Sequence, residues 1–149
     1  MMSKDKIVQR VRAFNRFYMP SMNLLDNHYL GSEYSVTESR IFFEIYENEG
    51  CNAAHIAQIM NIDKSYLSRI IKSHEKNGYI QRTPSCEDGR SYSLFLTDQG
   101  KKKAAELIYK SDDEIGSILQ SLSKDEQMRL ADALDTITEL LSKGKGGDQ

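Results

Sequence analysis

The spacing of apolar residues changes once along the chain, and this change most constrains the fold. Up to Gly78, apolar residues recur every three or four positions, as on the buried face of an amphipathic helix. From Tyr79 to Thr97 they alternate with polar residues, as in strands that bury one side. After Asp98 the helical spacing returns. The sequence therefore predicts a mostly α fold with a small β-hairpin (α+β).

Capping residues divide the middle of the chain into elements. Thr37, Asn52 and Asp63 are predicted to begin three successive helices, and glycines at 50 and 78 are predicted to end the first and the third. Only residues 61–63 separate the second helix from the third. Two helices joined by such a tight turn and followed by a hairpin are typical of a winged helix-turn-helix.

The buried faces of these three helices follow from the same spacing. The residues predicted to point inward are Ile41, Phe42, Ile45 and Tyr46; Ile56, Ala57, Ile59 and Met60; and Leu67, Ile70, Ile71 and His74.

Helices are also predicted on both sides of this region. A first helix carries one apolar stripe, Ile7, Val11, Phe14 and Tyr18, is disrupted by Pro20, and is followed by a short helical stretch over 24–30. After the hairpin, a long helix begins at Thr97 or Asp98. The pattern Ser123 to Glu126 is a capping box that opens the last helix. Its stripe consists of Leu130, Leu134, Ile137 and Leu141.

Composition excludes several classes of protein. The net charge of −2 excludes a uniformly basic coat for nucleic acid. Two cysteines cannot form a disulfide framework, and no apolar run approaches the ~18 residues of a membrane span. The charged start lacks a secretion signal, so we expect a cytoplasmic protein without membrane association.

Positive charge is nevertheless concentrated where a winged helix would meet DNA. Residues 60–103 hold nine Lys or Arg and five Asp or Glu, a local excess of +4. Hydroxyls and cations face outward on the third helix. Arginine can bind guanine through two hydrogen bonds, and lysine can contact phosphate. The predicted DNA-binding residues here are Lys64, Ser65, Tyr66, Ser68, Arg69, Lys72, Lys76 and Arg82. The alternative interpretation is that these residues form an ordinary solvated helix face and that Arg90, in the loop of the hairpin, is an ordinary loop arginine.

The residues LSRIIKSHEKNGYIQR, EDGR and LFLTDQG resemble the MarR family of bacterial transcriptional regulators. The resemblance implies a homodimer that binds a pseudo-palindromic operator in double-stranded DNA, most often as a repressor. It also implies one domain over 1–149, with dimerisation helices in 1–34 and 104–143, a DNA-binding region in 35–103 and a frayed tail in 144–149. Arg90 would enter the minor groove and Asp88 would brace the arginine of the hairpin loop. His74 departs from the family, which usually has leucine there.

The front half carries a second resemblance. VRAFNRFY, LLD and YSVT are similar to the regulator half of proteins that fuse a MarR-like domain to a GNAT-type acetyltransferase. The chain is expected to have no room for that second domain, and no catalytic residues are predicted. A regulatory half of an acetyltransferase system and a winged helix that binds proteins both remain alternatives.

Small-molecule sites are less marked in the sequence. The MarR resemblance implies a small aromatic effector, for which Phe14, Tyr18, Tyr29 and Phe42 are candidates, although such a stripe is more often core. Cys51 lies at a helix start, where a thiolate would be favoured, and Cys86 lies beside acids. Both are expected to be bystanders. His28, His55 and His74 are scattered, so no metal or cofactor is predicted.

Overall fold

A computed structural model describes residues 1–85 and 91–146 of the chain. Within these ranges, six α-helices and two strands follow one another. They are α1 (Lys4–Ser21), α2 (Val36–Glu47), α3 (Ala53–Met60), α4 (Lys64–Lys76), β1 (Ile80–Pro84), β2 (Tyr92–Leu96), α5 (Asp98–Leu119) and α6 (Lys124–Gly146), with a 3-10 turn at Tyr29–Gly31. The predicted mostly helical fold with one hairpin is confirmed.

The chain divides into two compact units, Met1–Tyr109 and Lys110–Gln149. The buried hydrophobic residues lie in the first unit, where α2, α3, α4, the hairpin and the start of α5 pack together. The largest fully buried side chains are Phe42, Ile41, Ile45, Ile56, Leu67, Leu94 and His74. The positions of α4 and of the hairpin are therefore fixed by one common core.

Side-chain caps begin the three helices of this core. The predicted caps Asn52 and Asp63 are confirmed. The side-chain oxygen of each accepts a hydrogen bond from the backbone N–H three residues later, at 2.8 and 3.1 Å. The prediction of Thr37 is wrong by two residues. Ser35 caps α2, because it has a glutamate three positions later and the two residues bond reciprocally at 3.1 and 3.2 Å.

The strands form a regular antiparallel hairpin. Ile80 pairs with Leu96, and Pro84, the last residue of β1, pairs with Tyr92. The segment before α3 adds a further connection, since Leu94 exchanges two backbone hydrogen bonds of 2.8 Å with residues 50 and 51. These bonds fix the middle of β2 to the segment between α2 and α3.

Two sequence predictions in the first unit need correction. No α-helix covers 24–30; the turn at Tyr29–Gly31 lies there instead, and left-handed φ angles of 57° at Asn23 and 54° at Leu30 interrupt any right-handed helix. Tyr46 and Ile59 are 43% and 44% exposed instead of buried. Each lies outside the narrow stripe through which its helix meets the core.

The second unit contains the end of α5 and all of α6. The predicted capping box at the start of α6 is confirmed, with reciprocal bonds of 2.9 and 3.1 Å between Ser123 and Glu126. The Gln127 amide donates to the carbonyls of Leu119 and Leu122, which closes the turn between the two helices. Among the described residues, no helix is both long and apolar enough to cross a membrane.

Candidate nucleic-acid interface

The outer face of α4 presents the side chains that the sequence assigns to DNA. Its inner face, Leu67, Ile70, Ile71 and His74, is buried in the core as predicted. Apart from the half-buried Glu75, the remaining side chains point to solvent. This α4 outer face consists of Lys64, Ser65, Tyr66, Ser68, Arg69, Lys72, Ser73 and Lys76, and all eight are exposed. Hydroxyls and cations along one exposed face can donate to both base edges and phosphates.

The turn before α4 sets the direction of this helix. Asn61 ends α3 in a left-handed conformation with φ 52°, and the Ile62 N–H donates back to the Ala57 carbonyl at 3.1 Å. Asparagine tolerates this conformation better than most residues. The short turn then leads directly to the Asp63 cap, so α4 follows α3 in helix-turn-helix order.

Arg69 and Tyr66 lie one helical turn apart on the α4 outer face. The guanidinium carbon of Arg69 is 6.0 Å from the centre of the Tyr66 ring, at the outer limit of a cation–π contact. The contact favours a conformation in which Arg69 lies along the exposed surface of the helix.

Arg82 of β1 differs from the other predicted DNA contacts because it is already paired. Its Nε donates to the Glu75 carboxylate of α4 at 3.0 Å. Its guanidinium carbon lies 4.9 Å from the centre of the Tyr92 ring on β2. The hydrogen bond to Glu75 raises the pKa of Arg82 above its already high ordinary value. Sequence reasoning missed Glu75, because seven residues and a change from helix to strand separate the two partners.

A second cation of the basic region is also paired. The Lys103 ammonium of α5 lies 3.5 Å from a Glu33 carboxylate oxygen and 5.6 Å from the centre of the Tyr34 ring. Burial, reinforced by the neighbouring phenol and carboxylate, raises the pKa of Tyr34 to about 12. Tyr34 is thus a neutral phenol at physiological pH, and Lys103 connects the start of α5 to the segment before α2.

An open groove separates α4 from the hairpin. It has a volume of about 250 Å³, and its walls include Ser68 and Ile71 of α4, Arg82 of β1 and Tyr92 of β2. The predicted DNA contacts Ser68 and Arg82 therefore line the same groove. Asp88, Arg90 and Cys86 of the hairpin loop lie outside the described residues.

His74 is buried in an aromatic cluster beneath this surface. Its ring centre lies 4.2 Å from that of Phe42 and 5.1 Å from that of Tyr34. Nε2 lies 3.1 Å from the Glu38 carbonyl oxygen, while Nδ1 has no hydrogen-bond partner among the described residues. Burial lowers the pKa of His74, against opposing contributions from Glu38 and Glu33. The predicted core position is confirmed.

The four candidate effector residues do not form one cluster. Phe14 and Tyr18 stack on α1 with ring centres 5.1 Å apart. Tyr29 is half-buried in the 3-10 turn. Phe42 is fully buried against the Tyr34, Tyr79 and His74 rings, so it has no free surface for a ligand in this conformation. The effector site stays a prediction.

The surroundings of Cys51 bear on the thiolate that the sequence predicts at this position. The thiol is half-buried, and burial together with the carboxylates of Glu44 and Glu49 raises its pKa. The thiolate expected at this helix start is therefore disfavoured, because desolvation outweighs the favourable backbone bond. Over residues 1–85 and 91–146, no group of three or more His, Cys, Asp or Glu could hold a metal ion.

The middle of the chain is similar to a known protein family. Residues 34–92 match the model of the MarR family. The match runs from just before α2 to the first residue of β2, and so contains the helix-turn-helix and the first strand of the hairpin. The winged-helix region of this chain is therefore similar to the MarR family, in agreement with the resemblance of its motifs.

Individual relatives agree with this match. The HTH-type transcriptional regulator BilQ of Clostridioides difficile is 30% identical over 71 residues, 46% of this chain and 48% of that protein. The crystal structure of a MarR transcriptional regulator from Methanosarcina mazei has a TM-score of 0.70 and 27% identity, over 94% of this chain and 99% of that one. Streptococcus pneumoniae FabT in complex with DNA has a TM-score of 0.70, covers 95% and 99%, and at 17% identity shows the fold alone.

The curated matches are partial. The matching segments span between 39% and 48% of the length of three such relatives. BilQ and the Methanosarcina mazei protein are transcriptional regulators by their descriptions, which agrees with the prediction that the chain is not an enzyme. The similarity of the front half to acetyltransferase fusions stays a prediction.

Proposed function

We propose that this chain, whose residues 34–92 match the model of the MarR family, binds duplex DNA sequence-specifically as a homodimer and regulates transcription, most often by repression. The observation that carries the proposal is the α4 outer face, where exposed hydroxyls and cations lie beside a hairpin on a shared core. This is the arrangement of a helix that enters the major groove while the hairpin reaches the backbone or the minor groove. The predicted cytoplasmic location follows from this function.

Two kinds of contact follow from the chemistry of the α4 outer face. Ser65, Tyr66, Ser68 and Arg69 occupy its first turns, and we assign base contacts to them. Lys64, Lys72 and Lys76 are cations without the planar fork that guanine recognition uses, and we assign phosphate contacts to them. We propose that Arg90 reaches the minor groove and that Asp88 braces it, as the MarR resemblance implies.

Exposed apolar residues in each unit support a homodimer. On α1, Ile7, Val11 and Phe17 are 50%, 46% and 68% exposed. On α6, Leu134 and Leu141 are 38% and 60% exposed. A chain with this much exposed apolar surface on two long helices is expected to cover it with a partner, and a second copy would supply matching helices.

We further propose that a small aromatic effector changes the spacing of the two α4 helices in the dimer. Such a ligand would act by favouring one of two dimer geometries, and its effect is limited by its differential affinity for them. Phe14, Tyr18 and Tyr29 remain the candidate contacts, with Phe42 accessible only if the core opens.

The salt dependence of duplex binding tests the DNA-binding proposal. Each phosphate contact should contribute a slope of about −0.9 to a plot of log affinity against log salt concentration. We expect Lys72→Gln to make the slope shallower by about 0.9. Arg129→Gln removes the same charge from α6 and should leave the slope unchanged. A wild-type affinity that does not depend on salt, or no binding at low salt, would contradict the proposal.

A further inference from the structure

The Glu75–Arg82 pair joins the two parts of the proposed DNA interface. Glu75 lies in the last turn of α4, and Arg82 lies in the middle of β1, opposite Leu94 of β2. Their Nε–carboxylate distance is 3.0 Å, and both side chains are about one-third exposed. Tyr92 of β2 covers the guanidinium at 4.9 Å. The Arg82 guanidinium thus connects α4, β1 and β2. We refer to Glu75, Arg82 and Tyr92 as the clamp.

The clamp uses the features that separate arginine from lysine. A planar guanidinium can donate along one edge while its face stacks on an aromatic ring, which holds it in one orientation. The ion pair is charge-assisted and partly shielded from water, so it restricts motion more than an open surface pair would. With its Nε on Glu75 and the guanidinium stacked on Tyr92, Arg82 is held against the protein and not extended toward solvent.

The position of the clamp gives it control over the hairpin. The base of the hairpin is fixed by the core residues Ile80, Leu94 and Leu96. Arg82 lies opposite Leu94, the outermost of these core residues, and beyond this pair the described residues of β1 and β2 have exposed or half-buried side chains. The hydrogen bond between Arg82 and Glu75 therefore joins α4 to the hairpin at the outer limit of the core.

We propose that Glu75 and Arg82 are positioning residues that set the angle between the hairpin and α4, so that both can engage one stretch of duplex together. The inference rests on the proposed function and replaces the sequence-based prediction that Arg82 contacts DNA directly. A fixed angle raises affinity because the hairpin and α4 are already aligned in the free protein, so binding DNA orders fewer degrees of freedom.

The clamp and the phosphate contact predict opposite effects of neutralising Glu75. If Arg82 binds phosphate, the Glu75 carboxylate competes for it and repels DNA, so Glu75→Gln should tighten binding. If the clamp positions the hairpin, Glu75→Gln should weaken binding although it removes a negative charge from a basic surface. The sign of this one change separates the two roles.

The experiment compares wild type, Glu75→Gln, Arg82→Gln and the double variant. The probes are a duplex recovered by selection from a random library and a duplex of scrambled sequence, each over a salt series. For the selected duplex we expect each single change to weaken affinity on the order of tenfold, and the double variant to be no weaker than the singles, because partners in one pair are not additive. The salt slope and the affinity for the scrambled duplex should stay unchanged.

Lys72→Gln is the comparison for loss of a phosphate contact, since it should weaken binding to both duplexes and make the slope shallower. Arg82→Gln behaving like Lys72→Gln, or tighter binding by Glu75→Gln, would overturn the clamp. Both residues are partly exposed, so the variants are expected to fold, which far-ultraviolet circular dichroism checks.

A measurement without DNA separates failure of the clamp from failure of the proposed function. The Ser85 N–H donates to the Ser91 carbonyl at 3.0 Å, beyond the clamp on the hairpin. We expect hydrogen exchange at Ser85 to be faster in Glu75→Gln than in wild type, while core amides such as that of Leu67 keep their protection. Unchanged exchange at Ser85 would overturn the clamp even if wild type binds DNA. If wild type binds neither duplex at low salt, the proposed function fails and the positioning role fails with it.

Discussion

At the level of single residues, the α4 outer face combines side chains that can read bases with side chains that can only neutralise charge. Arg69 has a planar guanidinium that can form two hydrogen bonds to one guanine, whereas the ammonium of Lys72 is a compact point charge that suits a phosphate. The two residues lie three positions apart on the same helix, so their variants are compared in the same environment.

We expect Arg69→Ala to cost about 1–3 kcal/mol of binding free energy and to relax the preference at one base position. Titration against a set of duplexes that differ at single positions measures both effects. Lys72→Ala is the matched control, and it should weaken all duplexes equally. A uniform loss for Arg69→Ala would identify it as a phosphate contact instead.

The buried side chain of His74 should make the stability of the fold depend on pH. Its pKa is lowered below the ordinary value of 6.5, mainly because burial disfavours the charged ring. The unfolded chain therefore binds more protons than the folded chain below about pH 6.5. Stability should be unaffected by this group above that pH and should fall as the pH drops toward the folded-state pKa, by up to about 1.4 kcal/mol per pH unit.

Urea unfolding at pH 7.5 and pH 5.5 tests this prediction with His74→Leu as the partner variant. The wild type should lose more free energy of unfolding between the two pH values than the variant, because leucine cannot take up the proton. Equal losses in the two proteins would show that His74 does not titrate on unfolding in this range.

Helical spacing predicts the faces of α4 but not the pairing of Arg82 with Glu75. The exposure of the α4 outer face and the burial of His74 follow from helical spacing alone and are confirmed. The pairing of Arg82 with Glu75 depends on how the chain turns at Gly78, where φ is 84°, and on the position of Tyr92 on the other strand. Periodicity carries no information about either.

At the level of elements, the start of α5 packs directly on the residue before β1. Gly100 is buried, and a Cβ added there would collide with the Tyr79 carbonyl and come within 3.3 Å of the Leu96 side chain. The Thr97 hydroxyl donates to the Gly78 carbonyl and accepts the Gly100 N–H at 3.0 Å, which holds α5 at this distance. Close approach of α5 therefore requires a glycine.

We expect Gly100→Ala to lower the free energy of unfolding by about 1–3 kcal/mol, since backbone must shift to admit the methyl group. Gly116→Ala in the same helix is the control. No described atom lies within 4 Å of a Cβ added at Gly116, so alanine should raise stability by about 1 kcal/mol through its helix propensity. Urea unfolding at one fixed protein concentration measures both, and a neutral Gly100→Ala would contradict the packing.

Element boundaries were predictable where a local signal is complete. Asn52, Asp63 and the Ser123–Glu126 box each combine a cap with a following helical stripe, and all three are confirmed. The prediction at Thr37 is wrong because the capping-box pattern begins at Ser35, whose partner is Glu38. The helix predicted over 24–30 is the opposite case. Its apolar residues have helical spacing, but left-handed backbone at Asn23 and Leu30 interrupts the helix, and spacing does not predict these φ angles.

At the level of the whole molecule, the proposal requires two copies of the chain. A two-fold dimer presents its α4 helices about 34 Å apart, so that they enter successive major grooves of one face of the duplex. The stripe of Leu130, Leu134, Ile137 and Leu141 on α6 is the part of the predicted interface that one substitution can test.

We expect Leu134→Asp to abolish the dimer, because a charge would be buried against apolar side chains. Sedimentation should then give the 17.0 kDa of one chain. Thr136→Asp is the control, since at 100° per residue it lies on the other side of α6. A dimer that survives Leu134→Asp would show that this stripe is not the interface.

Selection of bound sequences from a random duplex library tests sequence-specific binding by a dimer, because it assumes no operator. We expect recovery of a pseudo-palindrome whose half-sites are about ten base pairs apart, one for each α4 helix of the dimer. Recovery of no enriched sequence at low salt would contradict it.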